Sequence, residues 1–155
     1  MQRAGFWERG GAWVIAQNTL MMLVLIVSPL NRAVEGSQVW RWIGALFMVI
    51  SAVYGVAGVI ALGKNRTVFP SPRHGAELVE SGIYRFVRHP LYGSVGFLVF
   101  GWGLFWRSIV GVVLAVVLAF VLREKARREE TWLCDKFPKY AAYRKRVKSV
   151  IPWLI

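Results

Sequence analysis

Three long apolar stretches, separated by short polar segments, dominate the sequence. Residues 13–30 and 42–62 each approach the roughly 20 apolar residues that a helix needs to cross a hydrocarbon core about 30 Å thick. The third stretch, residues 91–122, is interrupted by one charge, at Arg107. Apolar stretches of this length predict membrane-spanning helices rather than the amphipathic elements of a soluble domain.

The third stretch is too long for a single span, because a helix rises about 1.5 Å per residue. A turn near Arg107 instead predicts two shorter helices, residues 91–106 and 108–124, that form a tight hairpin. Ser108 has the residue type of an N-cap and begins the second of these helices. The predicted fold class is therefore an all-α integral membrane protein with about four transmembrane helices.

Polar and irregular segments surround these spans. The last span continues without a break into the charged residues 123–135, and Phe137-Pro138 ends that helix. Beyond it, apolar residues recur at helical spacing among basic ones, which predicts a C-terminal amphipathic helix at the membrane interface. Its aromatic side is expected to anchor the chain or to roof a pocket. The connector at residues 64–81 contains Pro and Gly and is expected to be irregular. The length of the chain predicts a single domain, residues 1–155.

The composition agrees with a membrane protein and also gives an orientation. The chain is 56% hydrophobic, has 8 Trp, and has a mean hydropathy of +0.46. Of its 20 Lys and Arg, two precede the first span, five lie in residues 63–90, ten lie in residues 123–155, and three lie on the opposite side. Basic residues collect in cytoplasmic loops. A multi-pass protein of an inner membrane, with both termini and the 63–90 loop in the cytoplasm, is therefore expected, and the bilayer rather than nucleic acid is the expected partner.

Polar and small residues within the spans predict contacts between helices. Gln17, Asn18 and Thr19 are expected to face other helices rather than lipid. Ser51 and Gly55 lie four residues apart and are expected to let the second helix approach a neighbour closely. The single cysteine excludes an intramolecular disulfide, and no metal site is expected.

Residues that carry chemistry concentrate in two clusters, residues 85–93 and residues 127–130. Pro90 is predicted to begin the third helix, because proline lacks an N–H and is favoured in the first turn. The free N–H groups of that helix end, together with Arg85 and Arg88, predict a site for an anionic group such as a carboxylate or phosphate.

The predicted hairpin brings the two clusters together. It places Arg88 and His89 near Glu129 or Glu130 on the cytoplasmic side. Neighbouring residues are about 100° apart around a helix, so at most one of the two glutamates is expected to point straight at a site. Taken alone, residues 85–93 are typical of a basic segment that anchors a span on the cytoplasmic side. Residues 127–130, taken alone, are typical of a solvent-exposed helix face. Their proximity favours a composite pocket.

Four blocks in the second half of the chain resemble a known family. They read Gly82-x-Tyr84-Arg85-x-x-Arg88-His89-Pro90-x-Tyr92, Glu129-Glu130-x-x-Leu133, Phe137-Pro138-x-Tyr140-x-x-Tyr143-x-x-Arg146-Val147 and Ile151-Pro152. In this order, over about residues 78–153, they resemble the membrane-embedded isoprenylcysteine carboxyl methyltransferases, which look related to phospholipid methyltransferases. Ile83 stands where that family commonly has proline, and Ser94 stands where it often has glycine, with Gly93 beside it.

The resemblance implies S-adenosylmethionine as cofactor, bound between the cytoplasmic ends of the last two helices, and a lipophilic or lipidated substrate. Arg88 and Glu130 are the implied catalytic residues, and Arg85 or Arg146 is implied to position an acidic substrate head group. The implied cofactor-binding residues are Tyr84, Arg85, His89, Pro90, Tyr92, Gly93, Glu129, Glu130, Tyr140 and Tyr143.

Two other functions stay open from the sequence. One is a nicotinamide-dependent membrane reductase of similar architecture, although the chain lacks a Gly-x-Gly-x-x-Gly fingerprint. The other is a non-catalytic membrane protein that binds anionic lipid or a partner through its basic surface. In that case Glu129 and Glu130 would be dispensable.

Overall fold

Helices make up the regular secondary structure of the computed structural model, which describes residues 5–33, 36–71 and 75–151. The five α-helices are α1 Gly11–Leu30, α2 Val39–Leu62, α3 Pro90–Phe105, α4 Ile109–Lys136 and α5 Tyr140–Arg146. Two short 3-10 turns, Gly63–Asn65 and Gly82–Arg85, lie between α2 and α3. The described ranges contain no strand, and one isolated parallel bridge pairs Val87 with Lys148. The predicted all-α class is confirmed.

Helix α3 lies in the middle of the bundle, in contact with α1, α2 and α4. Glycines let α2 approach it closely: a Cβ atom built on Gly44 would lie 2.5 Å from the Gly101 carbonyl oxygen, and one on Gly101 would lie 2.7 Å from the Gly44 carbonyl oxygen. On its other side, α3 packs with α1 and α4. The buried core there consists of Val24, Val99, Ala115, Leu118 and Leu122.

Ser51 and Ser94 join α2 to α3 by reciprocal hydrogen bonds. The Ser51 hydroxyl donates to the Ser94 carbonyl at 2.8 Å, and the Ser94 hydroxyl donates to the Ser51 carbonyl at 2.9 Å. A Cβ atom on Gly55 would lie 2.8 Å from the Ser94 hydroxyl oxygen. The prediction that Ser51 and Gly55 permit a close helix contact is therefore confirmed, and α3 is the partner.

The polar residues of α1 behave differently from one another. Gln17 is half-buried and bonds to Lys125 of α4, as expected of a residue that faces another helix. Asn18 and Thr19 are exposed, so the prediction that they face other helices is wrong. Three consecutive residues span about 200° of a helix and cannot all share the face that α1 presents to α3 and α4.

The chain turns between α3 and α4 at residues 106–108. Ser108 is the N-cap of α4, because its hydroxyl accepts a hydrogen bond from the Gly111 N–H at 3.0 Å. Arg107 has a φ of 55° and so provides the left-handed step of the turn. Helix α4 then continues past its apolar part to Lys136, which positions Glu129 and Glu130 well beyond the apolar bundle.

Two helical segments among the described residues are long and apolar enough to cross a membrane, judged by length and composition: Gly11–Leu30 and Val39–Asn65. Helix α3 is apolar but shorter. Large apolar side chains stand exposed along these segments, including Leu30 at 80%, Trp42 at 75% and Ile60 at 74%. Exposed apolar surface of this extent is expected of helices that face lipid.

Candidate functional site

The segment that precedes α3 is fixed by the residues that follow α5. The Arg88 N–H donates to the Lys148 carbonyl at 2.9 Å, and the His89 N–H donates to the Ser149 carbonyl at 2.9 Å. The Arg88 guanidinium also donates to the carbonyls of Arg144, at 3.0 Å, and Val147. The predicted first cluster is thus built against the C-terminal part of the chain as well as against α4.

Glu130 is the centre of an ion-pair network. Its Oε1 atom accepts from Arg88 Nε at 2.8 Å and lies 3.0 Å from His89 Nε2, and its Oε2 atom lies 3.0 Å from Arg144 Nε. Glu130 is only 4% exposed. Burial alone would raise the pKa of Glu130, but the hydrogen bonds and charges of His89 and Arg88 outweigh it and lower that pKa to about 2. Glu130 is therefore a fixed anion at neutral pH.

Glu129 lies on the other side of His89. Its Oε2 atom accepts a hydrogen bond from the Tyr92 hydroxyl at 2.7 Å and lies 3.8 Å from His89 Nδ1. Burial raises the pKa of Glu129 above its ordinary value, although His89, Tyr92 and Lys125 act in the opposite direction. A quarter of the Glu129 side chain stays exposed, compared with 6% of the Glu130 side chain. The two glutamates face different surroundings, as the 100° step between neighbours requires.

Glu129 lines a narrow cleft of about 110 Å³. Its inner wall is formed by the ends of α3 and α4, and its outer wall is formed by the connector after α2, including Leu78 and Val79. The remaining polar and aromatic lining residues are Asn65, Thr67, Glu77, Tyr84, Arg88, His89, Tyr92, Phe137, Tyr140 and Tyr143. The cleft therefore brings together most of the residues that the resemblance implied for the cofactor.

Helix α5 closes this cleft. Tyr140, Tyr143 and Val147 form a buried cluster with residues of α4 and the connector. The apolar side of α5 is thus covered by protein, and the helix roofs the cleft, which is one of the two roles that the sequence predicted for its aromatic side. Its basic residues Arg144 to Arg146 are exposed.

Tyr140 and Tyr143, two of the four tyrosines that line the cleft, differ in their hydrogen bonding. The Tyr143 hydroxyl donates to the Tyr84 carbonyl at 2.7 Å. The Tyr140 hydroxyl is buried and has no hydrogen-bond partner among the residues that the structure describes. Burial raises the pKa of Tyr84, Tyr140 and Tyr143, so all three are neutral phenols at physiological pH. A buried hydroxyl without a partner is costly unless a ligand supplies one.

A second cavity lies on the other side of Arg88 and Tyr92. It is a groove of about 710 Å³ between α4 and the pair formed by α2 and α3. Its polar end holds Arg88, Glu130 and Arg144. Most of its length is apolar and is lined by Phe47, Phe97, Phe100, Val116, Ala119 and Phe120. Arg88 and Tyr92 border both cavities and therefore form the boundary between them.

Some residues implied for the site lie elsewhere. Arg85 is exposed and lines neither cavity. Arg146 pairs with Glu80 at 2.9 Å and also lines neither. Pro90 is buried at the first position of α3. Gly93 lines the groove and not the cleft, and a Cβ atom there would lie 3.0 Å from Val150 Cγ1.

Other residues at the site were not anticipated from the sequence. Arg144 contacts Glu130, and Lys125, which is 2% exposed, contacts the Tyr92 ring. In the sequence, only the position of Lys125, close after the apolar part of α4, could have indicated that this residue is buried near the site. Pro152, the last residue of the blocks that carry the resemblance, lies outside the described residues.

The profile of one protein family, described as phospholipid methyltransferase, matches residues 39–140. The chain belongs to this family. The matched region includes α2, α3, α4 and both polar clusters, and it ends at Tyr140. The resemblance that the sequence blocks indicated is therefore confirmed at the level of the family. Helix α1 of this phospholipid methyltransferase family member lies outside the matched region.

Curated relatives give further similarity. The chain is 31% identical over 118 residues to the cobalt-zinc-cadmium resistance protein CzcN of Cupriavidus metallidurans, a match that covers 74% of this chain and 55% of that protein. It is 30% identical over 123 residues to the protein-S-isoprenylcysteine O-methyltransferase of Dictyostelium discoideum, with 72% and 48% covered. It is 29% identical over 146 residues to protein-S-isoprenylcysteine O-methyltransferase B of Arabidopsis thaliana, with 85% and 73% covered. Thus the chain matches about half the length of the first two of these relatives.

Proposed function

We propose that this member of the phospholipid methyltransferase family transfers a methyl group from S-adenosylmethionine to a lipophilic substrate held in the membrane. The observation that carries the proposal is the meeting of two unlike cavities at Arg88 and Tyr92. One is a cleft with an accessible carboxylate and aromatic walls, and the other is a largely apolar groove. Such an arrangement suits a polar cofactor on one side of a reaction centre and a lipid chain on the other.

The residues of the cleft fit S-adenosylmethionine. When bound, this cofactor supplies an electrophilic methyl group on a positively charged sulfur. Glu129 offers a carboxylate to its amino group, since a charge-assisted hydrogen bond is stronger than a neutral one. Tyr140 offers a hydroxyl that has no partner within the described ranges, and Tyr84 and Tyr143 offer aromatic surface. Glu130 is committed to Arg88, His89 and Arg144, so we assign the cofactor contact to Glu129.

Entry of the cofactor requires the cleft to widen. Sites for small organic ligands usually measure about 300–1,000 Å³, and the cleft measures about 110 Å³. Its outer wall is the connector, whose Glu77 N–H donates to the Asn65 side chain at 3.2 Å. Because this bond is exposed to solvent, we propose that it breaks and that the segment with Leu78 and Val79 moves outward on binding.

The protein contributes mainly alignment and exclusion of water, because methyl transfer from a sulfonium is a direct displacement. The Arg88–Glu130 pair fixes the boundary between the cavities. A carboxylate nucleophile in the groove would need no base. An amine or thiol would lose a proton, and Glu129, which accepts from the Tyr92 hydroxyl, and the neighbouring His89 are the candidate proton acceptors.

The groove supports a substrate with an apolar chain and an anionic head group. Its polar end carries the Arg144 guanidinium, whose side chain is 52% exposed. The relatives named protein-S-isoprenylcysteine O-methyltransferase suggest a carboxylate at the end of a lipid. We place the head group at Arg144 rather than at Arg85 or Arg146, because only Arg144 among the three lines the groove.

We also propose a topology in which α1 to α4 each cross the membrane and both cavities open toward the cytoplasm. The charge distribution along the chain supports this arrangement, since 17 of the 20 Lys and Arg then lie on one side. The short apolar parts of α3 and α4 require local thinning of the bilayer or interfacial positions for their ends.

Calorimetric titration of the purified protein in nanodiscs tests the proposed function. We expect binding of S-adenosylmethionine and of its demethylated product, and we expect Glu129→Gln to weaken it by roughly 10- to 100-fold, as loss of a charge-assisted contact predicts. Arg146→Gln, which changes an exposed residue outside both cavities, is the matched control. Absence of binding at millimolar ligand would refute the proposal, and binding of a nicotinamide cofactor instead would favour a reductase. Incubation with membrane extract and methyl-labelled cofactor then identifies the product.

A further inference from the structure

Lys125 and Glu129 are four residues apart on α4, yet they do not form an ion pair. Residues at this spacing are neighbours on a helix surface, and opposite charges there usually attract each other. In the described part of the chain, no ion pair within 4.0 Å joins Lys125 to Glu129. The ammonium and the carboxylate have separate partners, and this separation requires an explanation.

Lys125 is held on the side of α4 that faces α1. Its Nζ atom donates to the Gln17 side-chain oxygen at 2.7 Å and to the Val68 carbonyl at 3.3 Å. The same atom lies 5.0 Å from the centre of the Tyr92 ring, within the range of a cation–π contact. Lys125 is only 2% exposed, so it cannot satisfy its charge with water. Two neutral oxygens and one ring thus take the place of an ion pair.

Glu129 stays available for a ligand as a result. Its carboxylate accepts one hydrogen bond from the Tyr92 hydroxyl and lies 3.8 Å from His89 Nδ1, and part of the side chain faces the cofactor cleft. If the Lys125 ammonium approached Glu129, it would occupy the site that a cationic group of a ligand needs. Gln17 is the contact that opposes this movement, because it offers the shortest hydrogen bond to Lys125.

Building on the proposed function, we infer that Gln17 is a positioning residue of the cofactor cleft. It retains the Lys125 ammonium on the α1 side of Tyr92 and so leaves the Glu129 carboxylate free for a cationic ligand. Helix α1 lies outside the region that matches the family, residues 39–140. The inference therefore gives the first span of this chain a part in cofactor binding, although it contributes no residue to the cleft lining.

The experiment compares three variants by calorimetric titration with S-adenosylmethionine. In Gln17→Leu, Lys125 loses its side-chain acceptor and pairs with Glu129, so affinity falls by about tenfold, the size of a modest charge competition. In the double variant Gln17→Leu with Lys125→Met, the competing ammonium is gone and affinity returns to within about threefold of wild type. Asn18→Leu changes the exposed neighbour of Gln17 and leaves affinity unchanged.

A purely structural role for Gln17 predicts a different result. The double variant would then bind S-adenosylmethionine no more tightly than Gln17→Leu does. That result, or an unchanged affinity in Gln17→Leu, overturns the inference. Gln17→Met, which keeps the length of the side chain, replaces the leucine variant if thermal unfolding reveals that the latter does not fold.

A ligand-free structure of the Gln17→Leu variant gives a second readout that does not depend on the cofactor. We expect the Lys125 ammonium within ion-pair distance of the Glu129 carboxylate. An ammonium that stays at the Val68 carbonyl overturns the inference. If the wild-type protein binds no S-adenosylmethionine, the proposed function fails, and this structure still decides whether Gln17 controls the position of Lys125.

Discussion

Arg88 and Glu130, 42 residues apart in the sequence, share a hydrogen bond of 2.8 Å that joins the segment directly before α3 to the charged half of α4. The same guanidinium reaches the carbonyls of Arg144 and Val147 at the end of α5. One side chain thus connects three segments that are distant in sequence. Because it also borders both cavities, the stability of the site and its geometry depend on the same residue.

Arg88→Ala is expected to destabilise the protein by about 3 kcal/mol, because it removes the shortest ion pair of the buried Glu130 and leaves that carboxylate with His89 and Arg144. Thermal or denaturant unfolding in detergent measures the change. Arg144→Ala is the matched control, since it removes the half-exposed partner of the same carboxylate and is expected to cost about 1 kcal/mol or less. Equal losses in the two variants would contradict the assignment of Arg88 as the central anchor.

Stability is expected to fall on acidification through the titration of Glu130. Its pKa is about 2 in the folded protein and about 4.3 in an unfolded chain. A lowered pKa stabilises the fold above the unfolded value, and that contribution is lost as the pH falls from about 4.3 toward 2. The difference in unfolding free energy between wild type and Glu130→Gln should be constant above about pH 5 and shrink below it. A difference that grows on acidification would be inconsistent with this network.

Tyr140→Phe separates ligand binding from stability. The variant removes a buried hydroxyl that has no partner among the described residues, so it is expected to leave stability unchanged or to raise it by about 1 kcal/mol. The proposed cofactor contact is lost at the same time, so affinity for S-adenosylmethionine should fall. Parallel unfolding and calorimetry measure both effects. Tyr143→Phe, which removes a hydroxyl bonded to the Tyr84 carbonyl, should instead reduce stability.

The single cysteine provides a test of the proposed topology. Cys134 lies near the C-terminal end of α4, which the proposed topology puts in the cytoplasm, and it is partly exposed. A membrane-impermeant maleimide is expected to label it in inverted vesicles and not in intact cells. Ser37→Cys in a Cys134→Ser background introduces a thiol before α2, on the opposite side, and should give the reverse pattern. Labelling of Cys134 from outside intact cells would invert the orientation.

The sequence predicts local features of this fold well, because they depend on short-range chemistry. Proline begins α3 at Pro90, and a serine caps α4 at Ser108, where backbone rules require them. The proximity of Arg88 to Glu130 could also be predicted, since two helices joined by a short turn bring their far ends together. Each of these features follows from a spacing or a residue type.

Features that depend on the rotation of a helix could not be predicted. Residues 144 and 146 are about 200° apart around α5, so the packing of its tyrosines alone decides that Arg144 meets Glu130 while Arg146 meets Glu80. Likewise, the bond between Gln17 and Lys125 depends on how α1 lies against α4. No local pattern carries that information, because the two residues are 108 positions apart.

The paired hydrogen bonds between Ser51 and Ser94 have a consequence for ligand exchange. Together with the close approach at Gly44 and Gly101, they join α2 and α3 into one rigid wall. If the groove holds the proposed lipid chain, this wall would stay fixed, and α4 would be the side of the groove that moves as the chain enters or leaves. A hinge at the Ser108 cap, at the end of α4 remote from Glu129 and Glu130, would then set the rate of exchange.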